Sequence, residues 1–240
     1  MIANFGIGTL ADARIAAGMR TQLALRRRAI ADGAQPIGWK VGFGTPAALA
    51  KFALSAPLIG FMLDRNVLAP GSSVSLGGWV KPAAEPEIAV EIAADVPGGG
   101  SRAAAAAAIG AIGPAIELAD VTFAPEDVAT ILAGNIFHRH VLLGPRDRGR
   151  KAGRTDGLHA RVSRNGAAHA DTTEPEANTG KLVDIVRHVA DVLAACGEQL
   201  KAGDVIIAGS VIPPIFLENT DRALDYALDP IGSVAVRFAA

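Results

Sequence analysis

The sequence predicts an α+β fold, with helices gathered near its start and a sheet of many short strands after them. Three observations carry that expectation. Over residues 9–33 the apolar positions Leu10, Ala13, Ile15, Ala16, Met19, Leu23, Leu25 and Ile30 recur at broadly helical spacing. Short apolar runs bounded by Gly, Pro, Asn and Asp then follow one another, at 37–44, 74–80, 85–94 and 205–208. Between them sits one strongly amphipathic stretch, 180–196, with Leu182, Val183, Ile185, Val186, Val189, Val192 and Leu193 on one face and Gly197 to end it.

Composition bounds the function. The 240 residues are half hydrophobic, with a mean hydropathy of +0.30, enough to bury a large core in one domain with at most a small appendage. Twenty-three basic and 24 acidic residues leave a formal charge of -1, which offers no electrostatic footprint for nucleic acid or an anionic membrane. A small neutral or anionic metabolite fits better. The single Cys196 excludes an intramolecular disulfide and reads as a small buried hydrophobe. No secretory leader pattern opens the chain and no apolar run approaches a membrane span, so the cytoplasm is the expected location.

Taken in order, residues 9–33 divide into two amphipathic helices near 18–21, and Arg26-Arg27-Arg28 forms a solvated face or a subunit contact. Residues 37–44 form a short strand that holds Lys40 among apolar neighbours, where a buried ammonium needs a carboxylate partner or a chemical task. Thr45 caps a short helix that starts at Pro46. Residues 56–67 read as loop and turn, and 74–80 as a strand. The alanines at 103–108 form a helix ended by the glycines at 110 and 113. Residues 133–144 return to strand character, with His138 and His140 too poorly spaced for zinc. Asn165-Gly166 closes a hairpin between 158–164 and 167–171, and 233–238 alternates as a final strand.

The candidate site centres on Glu85-Pro86-Glu87. Two carboxylates two positions apart share one face of a strand, and Glu117, in an apolar setting of its own, could add a third. Three carboxylates meeting in an interior need a divalent cation, and all-oxygen ligation favours Mg²⁺, Mn²⁺ or Ca²⁺. The alternative is plain: Glu at alternate positions of an exposed strand face also serves solubility.

Five segments occur together in a recognisable order: Gly38-Trp39-Lys40-Val41-Gly42, Glu85-x-Glu87, Pro114-Ala115-Ile116-Glu117-x-x-Asp120, Asn135 before Val141-Leu142-Leu143-Gly144, and Leu200-x-Ala202-Gly203-Asp204-x-Ile206-x-x-Gly209-Ser210. In this the chain resembles the 2-keto-4-pentenoate hydratase and 4-oxalocrotonate decarboxylase branch of the fumarylacetoacetate hydrolase superfamily. The resemblance implies a mixed β-roll over residues 71–240, one compact catalytic unit, behind a helical N-terminal part at 1–70. It implies Mg²⁺ or Mn²⁺ on Glu85, Glu87 and Glu117, a small 2-oxo acid as substrate, and an oligomer of identical subunits. Lys40 would move protons or hold the substrate carboxylate, Asp64 stands where relatives place that lysine's partner, and Ser210 would line the pocket. The expected activity is hydration of a 2-hydroxydienoic acid in aromatic catabolism. A 4-oxalocrotonate-type decarboxylase, an acylpyruvate C-C hydrolase and a non-catalytic partner subunit are the alternatives. Two departures stand out. Only Asp64 is acidic in Asp64-Arg65-Asn66, and Ile136-Phe137-His138-Arg139 replaces small residues. On a continuous strand Phe137 and Arg139 would face inward together and select a second carboxylate, leaving His138 outside.

Overall fold

Asp12 begins α1 (Ala13–Ala31) by accepting the Arg14 N–H, and the helix then runs through Gly18 without a break. The computed structural model describes residues 11–239, so Thr9 and Leu10 of the expected helical stretch lie outside the described residues. The expected division into two helices is corrected by packing. A Cβ on Gly18 would sit 2.5 Å from Leu132 Cβ and 2.8 Å from Ala129 O, so this glycine admits a neighbouring helix rather than ending its own. Buried Gln22 completes the contact, with Nε2 donating to Ile59 O at 3.0 Å and Leu132 O at 2.9 Å.

The chain continues through β1 (Pro36–Gly42), α2 (Pro46–Phe52), β2 (Leu58–Leu63), β3 (Val67–Leu68) and β4 (Ser73–Ser75). Thr45 caps α2 through the Ala48 N–H, as the Thr-Pro pair predicts. The loop expected at 56–67 is instead mainly β2, a strand buried along its whole length. Its apolar run does not alternate because both faces are covered, and Gly60 is there for close approach rather than for a turn. The strand expected at 74–80 is only the three residues of β4.

Next come β5 (Pro82–Ile92), α3 (Arg102–Ala108), β6 (Ile109–Asp120), α4 (Val128–Ala133) and β7 (His138–Leu143). The glycines expected to end α3 lie inside β6, and a Cβ on Gly113 would come within 2.0 Å of Pro145 O. The second half holds β8 (His159–Arg164), β9 (Ala167–Thr172), α5 (Leu182–Ala195), β10 (Val205–Ser210), β11 (Ile215–Phe216), β12 (Ala223–Asp229) and β13 (Gly232–Ala239). Asn165 and Gly166 both have positive φ between β8 and β9, the hairpin turn that Asn-Gly predicts.

Two sheets result. The larger runs β2-β1-β10-β5-β6-β7-β3 with β11 added beside β5, and the smaller runs β4-β13-β12-β8-β9 and packs β12 and β13 against β6. This mixed α+β arrangement is the expected class, and β1 and β2, both before residue 70, belong to the larger sheet. That sheet curls. Lys40 on β1 bonds Glu117 on β6, three strands away, whereas a flat sheet would separate those strands by roughly 14 Å, beyond a lysine's reach. Asn135, just ahead of β7, helps close the roll by taking the Phe61 N–H at 2.8 Å and donating to Phe61 O at 2.9 Å on β2. Among the described residues no helix is long and apolar enough to cross a membrane.

A candidate metal centre at the base of the curled sheet

Strand register assembles the acidic cluster. Glu85 on β5 lies directly opposite Glu117 on β6, and Glu87 follows two positions along the same face. Directly opposed like charges repel, yet one oxygen from each of the three lies within 4.8 Å of the others. Glu87 and Glu117 are fully buried; Glu85 is half-buried and opens into a cavity of about 290 Å³.

The rest of the cluster is arranged around Glu117. Its Oε1 accepts Lys40 Nζ at 2.5 Å and also faces His138 Nδ1 at 2.7 Å. Lys40 Nζ gives a further hydrogen bond to Ile136 O at 3.2 Å. On the other side of the cluster, Glu87 Oε2 accepts the Gly209 N–H at 2.6 Å. Gly209 turns at φ +92°, a conformation glycine adopts without penalty, which aims its N–H at the carboxylate. Gly60 is equally constrained, since a Cβ there would lie 2.9 Å from Lys40 Cγ.

Each shift in acidity follows from this layout. Burial pushes Glu85 up to about 7, and the neighbouring Glu117 charge adds to it against the pull of Lys40. Burial likewise raises Glu87 well above the carboxylate range, with Glu117 and Glu85 adding to it. For Glu117 burial also acts upward, but Lys40 and His138 outweigh it and hold the group down at about 2. Burial opposes the charge on Lys40, and the three carboxylates more than offset it, so the ammonium is raised. The centre is therefore one ion pair, Lys40 with Glu117, beside two carboxyl groups that resist ionising.

Two buried oxygens in this centre, Glu87 Oε1 and Glu117 Oε2, have no hydrogen-bond partner. Orphaned acceptors are costly in an interior. A hard divalent cation satisfies both and neutralises the surplus charge, so the donor set fits Mg²⁺, Mn²⁺ or Ca²⁺.

A pH dependence follows. The metal-free folded protein holds a proton on Glu85 up to about pH 7, and on Glu87 well above the carboxylate range, that an unfolded chain releases, so its stability falls as pH rises from about 4.5 through 7. Glu117 acts in the opposite sense, but only as pH falls below its ordinary value of 4.5 toward 2. For Glu85 alone the effect between pH 5.5 and 8 is on the order of 2 kcal/mol. Thermal unfolding after chelation should therefore show a midpoint several degrees lower at pH 8 than at pH 5.5. Mn²⁺ should remove the deficit, and Glu85→Gln should make the pH profile shallower, leaving the Glu87 contribution. A pH-independent midpoint in the chelated wild type contradicts the assignment.

The expected site residues part company here. Lys40, Glu85, Phe137 and Ser210 line the cavity, with Glu87 and Glu117 buried beneath it. Ser210 pairs with Glu87 in the β10–β5 register, and its Oγ donates to Pro86 O at 3.3 Å. Asp64 is not with them. It is exposed in the turn after β2, and its Oδ1 accepts the Gln35 and Arg65 N–H groups at 2.9 and 2.8 Å. The β1–β2 register places Lys40 opposite Gly60 but Pro36 opposite Leu63, so Asp64 sits beyond the far end of that strand pair, and Glu117 is the partner Lys40 has.

Arg139 is also misplaced by the strand expectation. Asn135, Ile136 and Phe137 all have positive φ, so β7 starts only at His138 and the assumed alternation through 136–139 does not exist. His138 turns inward, whereas Arg139 is half-exposed, pairs with Asp120 Oδ2 at 3.1 Å and lies 5.5 Å from the centre of the Trp79 ring. No residue type in this segment announces three consecutive left-handed residues. The inward His138 was hidden for that reason.

Known proteins complete the description. Residues 38–239 match the fumarylacetoacetate (FAA) hydrolase C-terminal family. Over 95% of this chain and 92% of its own length, 2-keto-4-pentenoate hydratase 1 of Dechloromonas aromatica is 25% identical. The 4-oxalocrotonate decarboxylase of Pseudomonas putida is 26% identical over 90% of this chain and 83% of its own. In three dimensions, 4-oxalocrotonate decarboxylase from Pseudomonas putida G7, complexed with magnesium and adipate, superposes with a TM-score of 0.85 at 25% identity, covering 94% of this chain and 86% of that one. Because the family match takes in Lys40, the three glutamates and Ser210 together, this chain belongs to the fumarylacetoacetate hydrolase family.

Proposed function

We propose that the protein is a metal-dependent hydratase that adds water to a small 2-hydroxydienoic acid to give a 4-hydroxy-2-oxo acid. The observation that carries the reading is the meeting of Glu85, Glu87 and Glu117 with a paired, buried Lys40 at the base of one cavity. Glu85, Glu87 and Glu117 would hold Mg²⁺ or Mn²⁺, which when bound supplies a Lewis acid for the carboxylate and 2-oxo oxygens of the substrate. The relatives named as hydratases support this activity, and the neighbour complexed with magnesium supports the cation.

The chain's own groups divide the remaining work. Lys40 Nζ is the proton carrier: Glu117 keeps it protonated, and its place on the cavity wall lets it deliver a proton to the substrate carbon chain and take one from the incoming water. His138 donates from Nδ1 to the same Glu117 oxygen, which fixes that carboxylate and leaves Oε2 for the cation. Phe137, Phe43 and Val41 wall off solvent beside Lys40. Ser210, whose Oγ is tethered to Pro86 O, presents its lone pairs to whatever fills the pocket.

A second reading is decarboxylation of a 2-oxo diacid, favoured by the decarboxylase likeness in sequence and structure. It uses the same cation and Lys40 but adds no water. A metal-replete assay that follows ultraviolet loss of 2-hydroxydienoates and release of CO₂ in parallel decides between them. Loss of absorbance without CO₂ is expected; stoichiometric CO₂ replaces hydration with decarboxylation, and no turnover of either kind overturns both.

A further inference from the structure

Extended backbone sets out Lys81, Ala83, Glu85 and Glu87 on one face of β5 and its approach, at successive alternate positions. The first three line the cavity. Glu85 is at the acidic base and Lys81 at the mouth, where its ammonium stands 4.3 Å from the centre of the exposed Phe216 ring. Among the described residues Lys81 makes no ion pair. The walls between the two ends are mainly small and apolar, including Ala83, Ala119 and Ala208.

The position of Lys81 is built rather than incidental. Buried Asp120, at the end of β6, accepts the Val80 and Lys81 N–H groups at 2.9 Å each through Oδ1. Lys81 O in turn accepts the Val121 N–H at 3.0 Å. The strand that carries Glu117 therefore also pins the main chain of Lys81, and Arg139 holds Asp120 Oδ2 from outside. Four residues of strand separate Lys81 from Glu85, roughly 13 Å. Phe216 pairs with Ala83 in the β11–β5 register, so the Lys81 ammonium beside its ring leans along β5 toward the acidic base.

We infer that Lys81 is a specificity-determining residue that receives a second carboxylate at the far end of the substrate, so that the site takes straight-chain 2-oxo diacids in preference to 2-oxo monoacids. The inference rests on the proposed function, in which the acidic base holds the 2-oxo end through a cation. A charge-assisted hydrogen bond at a partly solvated mouth favours the diacid by about tenfold, and added salt weakens that preference.

The test is calorimetric titration of the Mg²⁺-loaded protein with 2-oxoadipate and 2-oxohexanoate. In the wild type the diacid should bind about tenfold more tightly. Lys81→Met, which keeps an apolar stem over Phe216, should bring the ratio close to one, and Lys81→Arg should preserve most of it. A wild-type ratio near one, or a Lys81→Met variant with the wild-type ratio, overturns the inference while leaving the 2-oxo-acid site standing. Failure of both oxo acids to bind a protein that binds Mg²⁺ overturns the functional reading and this inference with it.

Discussion

Glu87→Gln should lose metal-dependent turnover altogether while keeping its fold. Glu87 Oε2 takes the Gly209 N–H, and Oε1 is one of the two orphaned oxygens. In the variant the amide oxygen is the only acceptor able to keep the Gly209 bond, which turns the NH₂ group, with its positive edge, toward the cation position. One negative charge is lost and one donor is set against the metal. The dissociation constant for Mn²⁺ should rise by about 10- to 100-fold, in line with the roughly 1.5–3 kcal/mol typical of a charged contact. The metal-free variant should melt no lower than the wild type at pH 8, because burial and the neighbouring Glu117 and Glu85 oppose ionisation of Glu87, a cost on folding that a neutral amide avoids. Calorimetric titration beside a melting curve separates these effects. Full activity in this variant, or undiminished wild-type activity after exhaustive chelation, defeats the assignment.

Lys40→Ala should produce the opposite division. Glu117 keeps its bond to His138 but loses its ammonium, and breaking one side of a buried pair typically costs about 3–5 kcal/mol. The metal-free variant should therefore be markedly less stable than the wild type, and Mn²⁺ should restore much of the loss by taking over the neutralisation. Turnover should fall by about 10²–10⁴, the usual contribution of a positioned proton carrier, with metal binding retained. Rate constants measured at saturating Mn²⁺, together with the titration, test both halves. Unchanged kinetics would reduce Lys40 to a structural counter-charge.

How far the sequence disclosed this centre depends on how local each signal is. Glu85 and Glu87 are legible because period two puts them on one face whatever else happens. Their meeting with Glu117 is a matter of cross-strand register, which the apolar setting of Glu117 suggests and the family likeness supports but no local pattern fixes. The error at Arg139 came from assuming a continuous strand through Asn135, Ile136 and Phe137, where the backbone is left-handed at three non-glycine residues. Tertiary hydrogen bonds from Asn135 to β2 favour that conformation, and no window of sequence contains both partners. Asp64 failed similarly: adjacency to an expected motif said nothing about its backbone bonds to Gln35 and Arg65.

Glycine misled in a consistent direction. The sequence suggests ends or turns at Gly18, Gly60, Gly110 and Gly113, yet they lie within α1, β2 and β6. At each a Cβ would meet a neighbouring group within 3 Å. Glycine that breaks a helix and glycine that admits a neighbour look alike in sequence. The short fold elements with their own chemistry were read correctly: Thr45-Pro46 opening α2, Asn165-Gly166 between β8 and β9, and the apolar face of α5 ending before Gly197.

Whether Glu85, Glu87 and Glu117 together hold one divalent cation is decided by anomalous diffraction from crystals of the protein grown with Mn²⁺. A single strong manganese peak bonded to all three carboxylates is expected in the wild type, and its loss in Glu87→Gln. A manganese peak elsewhere with none at this cluster, or a cluster that retains Lys40 and the three glutamates but binds no ion at saturating Mn²⁺, would contradict this assignment.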